Sequence, residues 1–146
     1  MPNKTAAIEG LSQLLADTYT LLLKTQNFHW HVTGPLFHSL HSMFEKQYTE
    51  LSIAVDEIAE RIRTLGSKAP ATFSEFLKLT KIKEAKGEYN AADMVHSLLQ
   101  DHEIIVKHLE KLMPIVQKNS DEATLDLLIV RTEEHQKTAW MLRSSC

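Results

Sequence analysis

Apolar residues recur every three or four positions through most of this chain, and no stretch alternates convincingly in the manner of a strand, so the pattern predicts helices throughout. A first helix is expected to run to about Val32, capped by Asn3 or Thr5, with Ile8, Leu11, Leu14, Leu15, Thr18, Leu22 and Leu23 as its inward stripe. Thr33-Gly34-Pro35 ends it. A second runs from about Leu36 to Leu65, with Phe37, Leu40, Phe44, Leu51, Val55, Ile58, Ile62 and Leu65 near heptad spacing, and Gly66 stops it. The stretch from Lys68 to Glu88 is too long for an ordinary turn, and within it Thr72 to Leu79 reads as a short amphipathic helix. Asn90 opens a third long helix that ends near Pro114 or a turn later, with Met94, Leu98, Ile105, Leu109 and Leu112 inward. Asn119-Ser120-Asp121 supplies the next cap, and a fourth long helix continues through Leu125, Leu128, Ile129, Thr132, Ala139 and Leu142.

The expected fold is therefore all-α, a four-helix bundle with a short extra helix in the crossover between long helices two and three, formed by residues 1–146 as one domain. Two hairpins joined by one long crossover is the connectivity of ferritin-like bundles, although the pattern alone permits other four-helix topologies. An apolar content of 43% suffices for a sizeable core at this length. No run approaches the roughly 18 apolar residues of a membrane span, and Met1-Pro-Asn-Lys-Thr lacks the apolar stretch of a signal peptide, so a cytoplasmic protein is expected. The single Cys146 cannot form an internal disulfide, which agrees with a reducing compartment, and it reads as a tail thiol without a role. A formal charge of −3 provides no overall basic field for nucleic acid.

Histidine changes the picture. There are eight, and His29, His31, His38 and His41 fall close together. Any one of them, or any one helical carboxylate, is more simply read as a solvated or hydrogen-bonded side chain. Their arrangement argues otherwise. On a helix, His41, Glu45, Asp56 and Glu60 share an arc of about 100°, yet the inner pair is about 16 Å apart and the outer pair about 28 Å. One helix cannot close such a site. The midpoint of 41 and 60 coincides with that of 45 and 56, between Glu50 and Leu51, which is the signature of a two-fold axis. Two copies of this helix packed antiparallel would set His41 and Glu45 of one against Glu60 and Asp56 of the other, with His29 reaching in from the first helix. Tyr48, Ser52 and Ala59 on the same face are compatible with close approach. Imidazole and carboxylate without thiolate suit Fe(II), Mn(II) or Zn(II), with iron the first choice. No Glu-x-x-His motif is present, so a site of the kind built inside one bundle is not expected.

Asn27-Phe-His-Trp-His-Val-Thr-Gly34, then Phe37, His41 and Glu45, then Ala54-Val-Asp-Glu-Ile-Ala-Glu-Arg-Ile-Arg-Thr-Leu-Gly66, resembles the Dps family, the mini-ferritins named as DNA-binding proteins from starved cells. Glu134-His-Gln-Lys-Thr-Ala-Trp-Met-Leu-Arg143 is similar to that family's terminal helix. The resemblance implies a ferroxidase: a dodecameric shell that oxidises Fe(II), preferably with hydrogen peroxide, at sites shared between subunits, and stores ferric mineral inside against oxidative damage. It assigns His29, His41 and Glu45 to one subunit and Asp56 and Glu60 to its partner. Position 45 is often Asp in the family, and Glu lengthens the reach of that carboxylate. Trp30 resembles the family's site-adjacent tryptophan, which captures stray oxidising equivalents; a core aromatic is the simpler reading, and Trp140 reads as core or interface. Glu122 and Asp126 align with acidic residues of the family's three-fold iron channel, with helix-dipole partners as the alternative. Asp121 either assists them or only caps.

His31 and His38 are expected at the surface or behind the ligands, and His96, His102, His108 and His135 carry no metal spacing. DNA coating, with nucleoid association, is the competing function. Its only basic cluster, Lys78, Lys81, Lys83 and Lys86, is interspersed with Glu75, Glu84 and Glu88, so DNA binding is expected to be weak or absent.

Overall fold

The computed structural model describes residues 4–146. Five helices follow in order: α1 (Lys4–His31), α2 (Phe37–Thr64), α3 (Phe73–Leu79), α4 (Ala91–Lys118) and α5 (Glu122–Arg143). No strand occurs among the described residues. Of the two expected caps of the first helix, Asn3 lies outside the described residues, and Thr5 is already inside the helix instead of preceding it.

The α1–α2 and α4–α5 hairpins stack into a bundle. Cross-links fix the directions. Lys24 meets Asp101, and His108 Nε2 meets the Gly10 carbonyl at 2.8 Å, so α1 and α4 are antiparallel. Arg61 meets Asp121 while Glu50 meets Arg131, so α2 and α5 are antiparallel as well. The crossover between α2 and α4 must then span the bundle, as expected. Gly10 permits the close approach of α1 to α4: a Cβ there would fall 2.3 Å from Leu112 Cδ1.

Thr72 caps α3 by accepting from the Glu75 N–H, and Asn90 with Asp93 forms a capping box at the start of α4. Helix α4 passes through Pro114 and ends one turn later at Lys118. The missing N–H would orphan the carbonyl four residues back, and both Pro114 and Glu110 are exposed, where water can satisfy it. Gly34, at φ 109°, makes the turn between α1 and α2.

The core is aliphatic, with Leu11, Leu14, Leu15, Leu21, Phe28, Phe44, Leu51, Ile58, Ile62, Leu98, Ile105 and Leu109 all closed to solvent. Each such side chain stabilises the fold by about 1.5–3 kcal/mol. One residue of the expected stripe of α1 is not in it, for Leu23 is exposed, and in α5 Ile129 is exposed as well. In α5 the inward face instead carries Thr124, Leu128, Arg131, His135, Ala139 and Leu142. Polar residues at inward positions hid the true phase of that helix.

Two buried acidic groups and one buried lysine organise the crossover. Asp17 Oδ1 accepts from the Thr80 hydroxyl at 2.8 Å and the Lys81 N–H at 2.7 Å. Lys24 Nζ donates to the Lys83 carbonyl and pairs with Asp101 Oδ2, both at 2.8 Å. Burial lifts the Asp101 carboxyl above its ordinary range, against the pull of Lys24. Helix α1 thereby grips residues 80–83, and Ile82 is buried between the grips.

Candidate metal centre

The end of α1 and the beginning of α2 lock each other through two imidazoles. His29 Nδ1 lies 2.7 Å from the His41 carbonyl, and His41 Nδ1 lies 2.7 Å from the His29 carbonyl. A carbonyl only accepts, so each Nδ1 must carry the proton and, in each neutral ring, Nε2 presents a lone pair. One consequence is structural: the carbonyl of His29, in the last turn of α1 and without a helical partner, is satisfied by His41. The other is chemical, because backbone carbonyls behind both rings fix the tautomer that a metal ligand needs. The rings stack at 3.8 Å with an interplanar angle of 13°. Phe37 stacks on the outer side of His41 at 4.9 Å, and Tyr48 meets His29 edge-on at 5.2 Å.

Glu45, one turn beyond His41, completes the cluster. One ligand atom from each of His29, His41 and Glu45 lies within 4.8 Å of the others, the one such grouping among the described residues. Glu45 Oε1 stands 3.8 Å from His29 Nε2. The cluster is graded in burial: His29 is buried, His41 intermediate and Glu45 exposed. It opens onto the outer face of α2.

Asp56 and Glu60 are exposed on that same helix, make no hydrogen bond or ion pair among the described residues, and are not brought to the cluster within one subunit. Glu122 and Asp126 are exposed on the first turns of α5. Asp121 caps that helix by accepting from the Thr124 N–H at 3.0 Å and also pairs with Arg61 at 2.9 Å. Burial alone would raise its carboxyl, but the Thr124 hydroxyl and N–H and the Arg61 guanidinium hold it below the ordinary range.

The tryptophans are not core residues. Trp30 is 60% exposed and Trp140 59%. Trp30 precedes His31, one step out of phase with the inward positions Phe28 and His29, so the helix turns it to solvent. His31 is exposed, its Nδ1 against the Asn27 carbonyl at 2.8 Å, and His38 is exposed beside Phe37, both as expected for surface residues. Cys146 is exposed at the chain end.

A second histidine pair was not legible in the sequence. His102 and His135 are buried, with their Nδ1 atoms 2.8 Å apart. Arg131 continues the chain, 3.0 Å from His135 Nε2, and forks onto the Glu50 carboxylate. Because a guanidinium only donates, His135 Nε2 accepts, His135 Nδ1 donates to His102 Nδ1, and the His102 proton sits on Nε2. Burial, with Arg131 adding to it, pushes His102 down to about 3. Burial first, then His102 and Arg131, pushes His135 well below its ordinary value. Both rings are neutral, and both nitrogens of His135 and one of His102 already serve the chain. The i, i+4 spacing of Arg131 and His135 on one helix was the only available clue.

Comparison with known proteins agrees with this architecture. A model of the ferritin-like domain matches residues 8–146. DNA protection during starvation protein 2 of Bacillus anthracis is 44% identical over 137 residues, covering 94% of each chain. The crystal structure of Dps from Staphylococcus aureus superposes with a TM-score of 0.96 at 37% identity, covering 99% of this chain and 97% of the other. A Dps protein from Vibrio cholerae O1, described as a member of a broad superfamily of ferritin-like diiron-carboxylate proteins, superposes with a TM-score of 0.92 at 29% identity, covering 98% of this chain and 92% of the other. Matched along nearly its whole length in sequence and in backbone, the chain belongs to the ferritin-like family and, within it, to the Dps proteins.

Proposed function

We propose that this protein is an iron-storage and detoxification protein with ferroxidase activity, whose catalytic site is completed between two copies. The single observation that carries the reading is the three-ligand cluster. Two imidazole Nε2 lone pairs, oriented by backbone carbonyls, and the Glu45 carboxylate converge on a solvent-open point of α2. Neutral imidazole with carboxylate fits Fe(II) as substrate, and anionic oxygen favours the Fe(III) product. Three ligands from one side leave room for more. Asp56 and Glu60, unpartnered on the same face, have the spacing to supply them from a second copy packed antiparallel about the Glu50–Leu51 midpoint.

In this reading two Fe(II) ions each give one electron to hydrogen peroxide, whose O–O bond breaks to give two hydroxide ions. Paired delivery suppresses the one-electron cleavage that would release hydroxyl radical. The ferric product is stored inside a dodecameric shell in the cytoplasm, with Glu122 and Asp126 as a cation entry and Trp30 as an outlying electron donor. No described helix is long and apolar enough to cross a membrane.

The test is peroxide-driven Fe(II) oxidation by the assembled protein, compared with His29→Ala/His41→Ala. Loss of roughly a hundredfold in rate, with assembly size retained, is expected for a site stripped of two ligands. Equal rates would sink the reading. An Fe(II)-soaked structure would then have Asp56 and Glu60 arriving from the other chain.

A further inference from the structure

The crossover lysines look self-neutralised in the sequence, because Glu75, Glu84 and Glu88 lie among them. The fold sorts them by face. Glu75 turns back to the α3 cap, its carboxylate bonded to the Ala71 N–H at 3.2 Å and the Thr72 hydroxyl at 2.9 Å. Glu84 lines a separate apolar cleft with Tyr19, Phe73 and Leu77, and Glu88 lines another with Asn27 and His31. Lys81 and Lys83 line a third cleft, of about 610 Å³, together with Lys107 of α4, more than twenty positions along the chain.

The floor of this cleft is built. Lys24 and Asp101, almost wholly buried, form an ion pair at 2.8 Å and neutralise each other. The grips from Asp17 and Lys24 onto residues 80–83 hold the backbone that carries the two crossover lysines. What remains around the opening is Lys81, Lys83 and Lys107 against Glu103, a net of two positive charges in a chain whose formal charge is −3. Ser97, Gln100 and Tyr89 add neutral donors.

We propose that this cleft is a binding site for a small, multiply charged phosphate-class anion, an oligophosphate. Three lysines from two chain segments lining one cleft suit several phosphate oxygens at once, since each ammonium acts as a mobile point charge. A concave site between the crossover and α4 favours a short oligoanion over a duplex, whose rod would meet only the rim. The site is separate from the histidine–carboxylate cluster and does not rest on its reading.

Calorimetric titration of the full-length protein with inorganic tripolyphosphate at 50 mM salt tests it. Binding is expected, tighter than for orthophosphate, and weakened roughly tenfold or more in Lys81→Gln/Lys83→Gln/Lys107→Gln, because each cation removed gives up a charge-assisted contact. A charge-matched variant outside the cleft, Lys68→Gln/Lys78→Gln/Lys86→Gln, should bind as the parent does. Circular dichroism and size-exclusion chromatography check that both variants fold and assemble as the parent does. No binding by the parent, or equal weakening in the two variants, overturns the proposal. A 20-base-pair duplex that binds more tightly than tripolyphosphate and depends on the same three lysines also overturns it, in favour of a nucleic-acid backbone.

Discussion

Two histidine pairs sit in one bundle and are built for opposite ends. His29 and His41 stack face to face, each donating Nδ1–H to the other's backbone carbonyl, and both Nε2 atoms are left as outward-facing acceptors. His102 and His135 meet nitrogen to nitrogen, inside a chain that ends on Arg131 and Glu50. The first pair spends its donors on the backbone and keeps its lone pairs; the second uses the lone pairs as internal acceptors. What decides whether an imidazole pair is a ligand set or a structural element is thus the partner of Nδ1, more than burial or proximity. A carbonyl behind the ring releases Nε2 for a metal, whereas a guanidinium in front occupies it.

The contrast is sharpest in stability. Replacing His135 by Ala opens a cavity and removes the partners of both His102 and Arg131, and it should cost about 3–5 kcal/mol. Urea unfolding of the assembled protein measures this, and a loss below about 1 kcal/mol would erase the structural role. Replacing His41 by Ala should instead fall on chemistry, lowering peroxide-driven Fe(II) oxidation about a hundredfold, equivalent to about 2.7 kcal/mol in barrier.

Acid separates the pairs by another route. In the unfolded chain His102 and His135 titrate near 6.5, and burial depresses both in the folded protein, His102 to about 3. Between these values the unfolded state binds more protons. The stabilisation is therefore complete above about pH 6.5 and is lost as pH falls toward the folded values, at up to about 1.4 kcal/mol per pH unit for each ring. Unfolding free energies measured from pH 7 to pH 4 should show this slope, and His102→Gln/His135→Gln should flatten it. A wild-type profile without the slope would mean the buried rings are already charged. The smallest effect is expected at Phe37→Leu, where loss of the ring stacked on His41 should slow oxidation by only a fewfold, about 0.5–1 kcal/mol.

The same contrast explains how much could be read from the sequence. The helices of the α1–α2 hairpin and of α4 were legible from their apolar stripes, and Asn90 and Asp121 stand where the caps of α4 and α5 were expected. Within the cluster, helical spacing pointed to His41 and Glu45 and the family resemblance added His29, and the structure brings the three side chains together. Asp56 and Glu60 were placed by symmetry of spacing, an argument about a second copy that a single subunit leaves open. The inner pair escaped, since its members are thirty-three positions apart and each alone resembles an ordinary helical histidine. Arg131 and His135 at inward positions also flatten the apolar stripe of α5, whose Ile129 is exposed. Trp30 went astray for the reverse reason: bulk suggests burial, but helix phase turns it outward.

The reciprocal bonds between His29 and His41 have a bearing on the order of assembly. They close the α1–α2 hairpin, so under the proposed function the act of folding one subunit already orients two of the five proposed ligands, before any second chain would arrive. A metal ion meeting such a preoriented pair would lose little to reorganisation. Thermodynamic linkage then requires that, if a second copy tightens metal binding, metal tightens the pairing of copies by the same factor. If the proposed function holds, iron supply would act on such a protein twice, as the material it handles and as a clamp on the interface where it is handled.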